Sequence, residues 1–163
     1  MNIIVAIDQN NAIGKDNGLL VSLKKDMKYF KEKTTGKVVV MGMNTYNSLP
    51  PKFRPLPNRL NIVISRNRNV KEDGVIVVRS VAELFNVLEE HHIDTENVFC
   101  IGGASIYNLL LPFCNRLYIT NIMERFEADA YFPKVDTTKW KLVDSTKEVE
   151  NNLVFFFDVL EKR

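Results

Sequence analysis

The chain has 163 residues, enough for one domain of ordinary size, and we read 1–163 as that domain. At 45% hydrophobic and 26% charged it can bury a large core, which excludes a mainly disordered chain. Lys and Arg number 22 against 20 Asp and Glu, a formal charge of +2 that supports neither a nucleic-acid nor a membrane-surface partner, both of which call for a basic stripe.

No apolar run approaches the roughly 18 residues of a membrane helix. The apolar stretch Ile3–Ile7 ends at Asp8 and has no basic leader, so it is not read as a signal peptide. Cys100 and Cys114 sit among apolar residues, with no metal spacing, and are expected to be buried reduced thiols. A cytoplasmic protein is the expectation.

In chain order, residues 2–8 read as a strand buried on both faces. Asn10 to Val21 follows as a polar, glycine-punctuated loop. Leu23 to Lys33 has a helical pattern, with Leu23, Met27 and Phe30 at i, i+4 and i+7 and Ser22 placed as its N-cap. Lys37–Met41 is a second buried strand that Gly42 breaks, and Asn44–Leu49 a short helix. Four of the six prolines fall at Pro50, Pro51, Pro55 and Pro57, a stiff extended segment. Leu60–Ser65 and Val75–Val78 are strands. Ser80-Val81-Ala82-Glu83 is a capping box that opens a helix to about Glu90. Val98–Ile101 is a strand that runs into Gly102-Gly103 and an apolar helix, Ala104 to Leu111, stopped near Pro112. Leu117–Ile122 is a strand. Trp140–Thr146 and Leu153–Leu160 are two more, around the turn at Glu150-Asn151-Asn152. Strands alternating with helices imply a largely parallel α/β sheet, and the helix-free tail implies antiparallel strands at one edge.

Several chemistries are absent from the sequence. There is no GxGxxG and no Walker loop. His91 and His92 are adjacent and would point apart on a helix. Ser105 lacks the second glycine of a nucleophile elbow. Three features remain. Gly102-Gly103 between a strand and a helix leaves no Cβ in the way of a close approach, which suits a phosphate as well as a tight turn. Asp26 borders the apolar stripe of its helix, so it is either a buried acid with a raised pKa or a solvated first-turn acid favoured by the helix dipole. Arg59 follows Arg54-Pro-Leu-Pro-Asn, which can hold a guanidinium in a fixed pose for a carboxylate or phosphate.

The ordered set IVAID, LKKDMKYFK, VVVMGMNTY, RPLPNRLNIVISR, CIGGASIY, LYIT and DAYFP resembles dihydrofolate reductase from residue 2 to about 160. The resemblance implies a single-domain α/β fold: a central eight-stranded, mostly parallel sheet with a C-terminal antiparallel hairpin, flanked by four helices. It implies NADPH-dependent reduction of 7,8-dihydrofolate to tetrahydrofolate, feeding one-carbon metabolism and thymidylate synthesis. A monomer that binds dihydrofolate and antifolate inhibitors is expected. By the same resemblance Asp26 is the acid of the pterin pocket, and Ile4, Val5, Ala6, Met27 and Phe30 are its apolar walls. Thr120 bonds the acid, and Arg59 pairs with the carboxylate of the glutamate tail. On the cofactor side Ala6, Ile13, Gly14 and Leu19 meet the nicotinamide end. Gly102, Gly103, Ala104, Ser105 and Ile106 form the pyrophosphate turn, where a cis peptide between the glycines is typical, and Tyr107 packs beside the nicotinamide. Asn44 and Thr45 make the second phosphate contact, and Ser65 and Arg66 meet the adenosine 2′-phosphate. Gly14 to Leu23 matches a mobile loop over the nicotinamide.

The chain departs from the family pattern at three places. Leu20-Val21 stands where Pro-Trp is usual, Met43 where a basic residue usually follows the glycine, and Ser105 where some members carry another basic residue. A riboflavin-pathway reductase of the same fold would not need Asp26 together with Arg59. A diverged, non-catalytic binding protein would bind without consuming NADPH.

Overall fold

The computed structural model of the chain describes residues 1–67 and 73–163. Its apolar runs become the strands β1 (Asn2–Ile7), β4 (Val38–Gly42), β5 (Leu60–Ile64), β6 (Val75–Val78), β7 (Val98–Cys100) and β8 (Arg116–Ile122). The polar segments near the start and after β8 supply three short strands, β2 (Ala12–Lys15), β3 (Gly18–Leu19) and β9 (Ala130–Tyr131). A long hairpin, β10 (Trp140–Glu150) and β11 (Leu153–Lys162), ends the chain. The helices are α1 (Lys24–Thr34), α2 (Met43–Ser48), α3 (Val81–Glu90) and α4 (Ala104–Leu110).

The main sheet has eight strands in the order β10-β11-β8-β1-β7-β4-β5-β6. Every pairing from β8 through β6 is parallel, and β11 joins β8 and β10 antiparallel. Strand alternation divides the core. Ile3, Val5, Ile7, Val38, Val40 and Ile62 face α3 and α4. Val39, Met41 and Val63 face the other way, onto Tyr46 of α2 and Phe30 of α1. Leu23, Ile122 and Phe155 form a smaller cluster beside α1, with Val21 and Ala6 packed on it.

Four local expectations are corrected. The loop 10–21 contains the β2–β3 hairpin, which joins β9 in a separate sheet of three strands. Asp16 and Asn17 turn it with φ of 50° and 65°, and Gly14 is required there because a Cβ would lie 2.5 Å from the Gly18 carbonyl oxygen. Ser22 is not the cap of α1: Leu23 holds that position and caps nothing with its side chain. The proline segment is not extended throughout, since Pro51–Phe53 makes one 3₁₀ turn, and the Arg54–Pro55 peptide is cis. The terminal strands run four residues past Thr146, to a turn in which Asn151 and Asn152 both have positive φ, the geometry that suits the twist of a two-residue hairpin.

The Ser80 cap stands: its hydroxyl accepts from Glu83 N–H at 3.1 Å, and the Glu83 carboxylate accepts from Arg79 N–H at 2.7 Å.

Candidate active site

The site forms where α1 crosses the middle of the sheet. Register sets Ala6 of β1 opposite Thr120 of β8, and Thr120 opposite Phe157 of β11. Residues opposite one another share a face, so these three side chains make a row under α1. Asp26, in the first turn of α1, meets that row. Thr120 is buried and its hydroxyl donates to Asp26 Oδ1 at 2.6 Å. Burial raises the Asp26 carboxyl above its ordinary value, the Thr120 hydrogen bond opposes the rise, and the charge of Glu150 adds to it. Of the two sequence readings of Asp26, the half-buried acid is the one the fold realises.

Asp26, Phe30 and Thr34 repeat every four residues and so line one stripe of α1. From the first to the last the stripe spans about 12 Å at 1.5 Å per residue. Arg59 closes its far end. Its Nε donates to the Pro57 carbonyl at 2.9 Å, its Nη1 donates to the Thr34 hydroxyl at 3.0 Å, and its guanidinium carbon lies 5.9 Å from the centre of the Phe30 ring. Partial burial lowers the Arg59 pKa, though a guanidinium stays charged. Two residues that sequence reasoning missed hold this arrangement. Thr34 is fully buried and also donates to the Phe30 carbonyl at 2.8 Å. Asn61 is fully buried and ties the loop before Arg59, accepting from Leu56 N–H at 2.9 Å and donating to the Leu56 and Arg59 carbonyls at 3.0 Å. Helical spacing from Asp26 could have pointed to Thr34; nothing local marks Asn61.

The other wall residues divide. Ile4 and Ala6 point to the Asp26 face by alternation. Val5 does not: its side chain is in the α3–α4 core, so only its backbone is left for the pocket. Met27 is 57% exposed, whereas Leu23, one turn before it, is buried.

The glycines lie on the far side of β1 from β8. The Gly102–Gly103 peptide is cis, and Gly42 N–H donates to the Gly102 carbonyl at 2.9 Å. A Cβ on Gly42 would come within 2.9 Å of Ile106, and one on Gly103 would sit 3.5 Å from the Thr45 hydroxyl. Strand ends, Thr45 of α2 and the start of α4 thus approach one another closely where side chains are missing. Beside it a groove of about 440 Å³ is lined by Ser65, Arg66, Arg79, Ser80, Ser105 and Ile106. Asn44 and Ser105 are exposed, and Ala104 is half-buried. Tyr107 is buried, packs edge-on against Phe132 and donates to the Ile4 carbonyl at 2.9 Å. Ile13 is half-buried against the α3–α4 core, and Leu19 on β3 is 73% exposed. Among the described residues no group of three or more His, Cys, Asp or Glu could hold a metal ion.

The profile of the dihydrofolate reductase family matches residues 1–162. The chain belongs to the dihydrofolate reductase family. It is 39% identical to the dihydrofolate reductase of Bacillus subtilis, over all of this chain and 95% of that one. It is 36% identical to that of Heliothis virescens, over 99% of this chain and 97% of that one. A solved structure described as dihydrofolate reductase from Enterococcus faecalis complexed with NADP(H) and RAB-propyl superposes with a TM-score of 0.86 at 32% identity, covering 99% of this chain and 95% of that one. The eight-stranded sheet, the terminal hairpin and the four helices are thus those of a dihydrofolate reductase.

Proposed function

We propose that Asp26, bonded to Thr120, is the central acid in the reaction this chain carries out, the NADPH-dependent reduction of 7,8-dihydrofolate to 5,6,7,8-tetrahydrofolate. The carrying observation is a half-buried carboxylate, 2.6 Å from a buried hydroxyl, at one end of a stripe that ends in a fixed guanidinium. A pterin presents its 2-amino group and N3–H side by side, and one carboxylate accepts from both. Asp26 therefore anchors the ring by the edge away from N5. It favours a protonatable form, and the proton reaches N5 through water. Ile4, Ala6 and Phe30 wall the ring, with Met27 at the mouth. Arg59 takes the α-carboxylate of the tail, far from the reacting carbon.

When bound, NADPH supplies the hydride that C6 receives. The residues present fit it: Gly42, Gly102 and Gly103 let the strand ends and the start of α4 approach one another closely, which leaves backbone without side chains beside a groove lined by two arginines and three serine hydroxyls. Gly102 to Ile106 with Asn44 and Thr45 would hold the pyrophosphate, and Ser65 and Arg66 the 2′-phosphate. Ala6, Ile13, Gly14 and Tyr107 would border the nicotinamide, with Leu19 and the segment to Leu23 closing over it to exclude water. All these groups come from one chain, so we take the monomer as the active unit. We place it in the cytoplasm, where its buried cysteines stay reduced. Antifolates that copy the paired N–H donors of the pterin would compete for Asp26.

The test is NADPH consumption with and without dihydrofolate. Turnover that requires dihydrofolate and falls away in Asp26→Asn supports the reading. Binding of both ligands without turnover would make the chain a non-catalytic binding protein.

A further inference from the structure

Helix α1, which carries Asp26, begins without a cap of its own. Its first N–H groups have no partner within the helix and must find one elsewhere. Lys24 N–H and Lys25 N–H donate to the two carboxylate oxygens of Glu150, at 2.7 and 2.9 Å. Beside them the Lys25 ammonium donates to Glu148 at 3.0 Å and to the Val149 carbonyl at 3.2 Å. Glu150 is the last residue of β10, just before the turn of the terminal hairpin. The other strand of the hairpin holds the middle of the same helix: Phe157 of β11 stacks on Tyr29 with ring centres 4.1 Å apart, and it stands in register with Thr120.

We propose that Glu150 is a positioning residue for the reaction: by capping α1 from the hairpin it fixes the first helical turn and so holds Asp26 against Thr120. This rests on the reading of Asp26 as the pterin acid. A carboxylate that accepts from two first-turn amides is charge-assisted and complements the helix dipole. Without it the amides of Lys24 and Lys25 lose their acceptor, and the turn that frays is the one containing Asp26. Phe30 and Thr34 lie one and two turns farther on, where Tyr29 stacks on Phe157 and Arg59 bonds Thr34, and they stay in place. The damage is therefore confined to the pterin end of the pocket.

Glu150 also acts on Asp26 through its charge. The groups that act on Asp26 are the Thr120 hydroxyl from β8 and Glu150 from β10, while the phenols of Tyr29 on α1 and Tyr107 on α4 feel its charge. Both phenols are pushed above their usual range and stay neutral, so Glu150 is the anion among them. Its charge favours the protonated acid. The reaction takes up a proton, so turnover falls as pH rises, and neutralising Glu150 moves that fall to lower pH.

The experiment compares Glu150→Ala, Glu150→Gln, Glu148→Gln and Asp26→Asn by kcat/KM for dihydrofolate across pH, by NADPH affinity and by thermal melting. Glu150→Ala should lose about threefold to thirtyfold in kcat/KM, the range for losing a helix cap, with NADPH affinity unchanged and with unchanged discrimination between tailed and tailless pterins. Glu150→Gln, which keeps one acceptor, should lose less but shift the alkaline limb downward, by an amount that fades in high salt. Glu148→Gln removes only the partner of the Lys25 side chain and should resemble wild type. Wild-type kinetics and pH profile in both Glu150 variants would overturn the proposal. So would a loss shared equally by NADPH affinity, which would mark general unfolding. Full turnover in Asp26→Asn would instead refute the reading of Asp26 itself.

Discussion

Replacing Arg59 with Leu removes the cation that Thr34 holds at the end of the α1 stripe. Its guanidinium already gives Nε to Pro57 and one Nη1 hydrogen to Thr34, at 2.9 and 3.0 Å, which orients the remaining N–H groups before any ligand arrives. Little entropy is then left to lose when a carboxylate docks on the planar fork. Two parallel charge-assisted hydrogen bonds of this kind contribute about 1.5–3 kcal/mol, or roughly tenfold to a hundredfold. Asp26 and Arg59 stand at opposite ends of a stripe about 12 Å long, so the tail contact is the same in the ground and transition states. Uniform binding of that sort appears in KM and not in kcat. Steady-state kinetics on dihydrofolate should therefore show KM up by about ten- to a hundredfold with kcat nearly intact. A pterin without a glutamate tail should bind wild type and Arg59→Leu equally, and NADPH affinity should not move. If the variant loses the tailless ligand as well, Arg59 acts through Thr34 and the packing of α1, not through the tail.

Asp26→Asn should cut turnover at neutral pH by orders of magnitude while NADPH affinity holds. Because burial raises the Asp26 pKa, the folded chain loses stability as pH rises from the unfolded value through the folded one, so the amide should melt higher at pH 7; an unchanged melting temperature would show the acid is solvated. NADPH should be preferred over NADH, but by less than is usual in the family, because Arg66 and Arg79 line the groove while Met43 and Ser105 carry no charge; equal efficiency with both cofactors would mean that Arg66 does not reach the phosphate. Val21→Trp should raise substrate affinity or turnover by restoring an indole donor at the end of the loop. Unchanged kinetics would show that another group already makes that hydrogen bond or that the loop is differently arranged.

What could be read from the sequence is what depends on nearby residues. Residues 2–8 and 37–41 are apolar on both faces and became central parallel strands, as such runs must. Ser80 and Glu83 are three apart and capped α3. Gly102-Gly103 showed where a chain leaves no Cβ. The misses are interactions closed by distant residues. Ser22 looks like the cap of α1, yet Glu150 fills that role from 126 positions away through Lys24 N–H. The strands β2, β3 and β9 are two to four residues long, too short for any hydrophobic period, and they exist because they pair with one another. Asp26 itself was undecided, since its burial depends on Thr120, Ala6 and Phe157 arriving in one row from three strands.

That row explains why site and core depend on one another. A slip of one residue between β1 and β8 would bring Ile119 or Asn121 opposite Ala6 and turn the Thr120 hydroxyl to the other face. The Asp26 carboxylate would then lose its buried donor. The same slip would pull Leu117 and Ile119 out of the α3–α4 core, where both are almost fully buried. Each such side chain is worth about 1.5–3 kcal/mol when buried, so the apolar residues of β8 specify its register far more strongly than one hydroxyl could. β8 is also paired on both sides, parallel to β1 and antiparallel to β11, and a slip must break two ladders. The polar alignment of Thr120 with Asp26 is therefore held by apolar packing on the opposite face. It follows that a cavity cut there, at Leu117 or Ile119, threatens the reaction only if it lets the strand move.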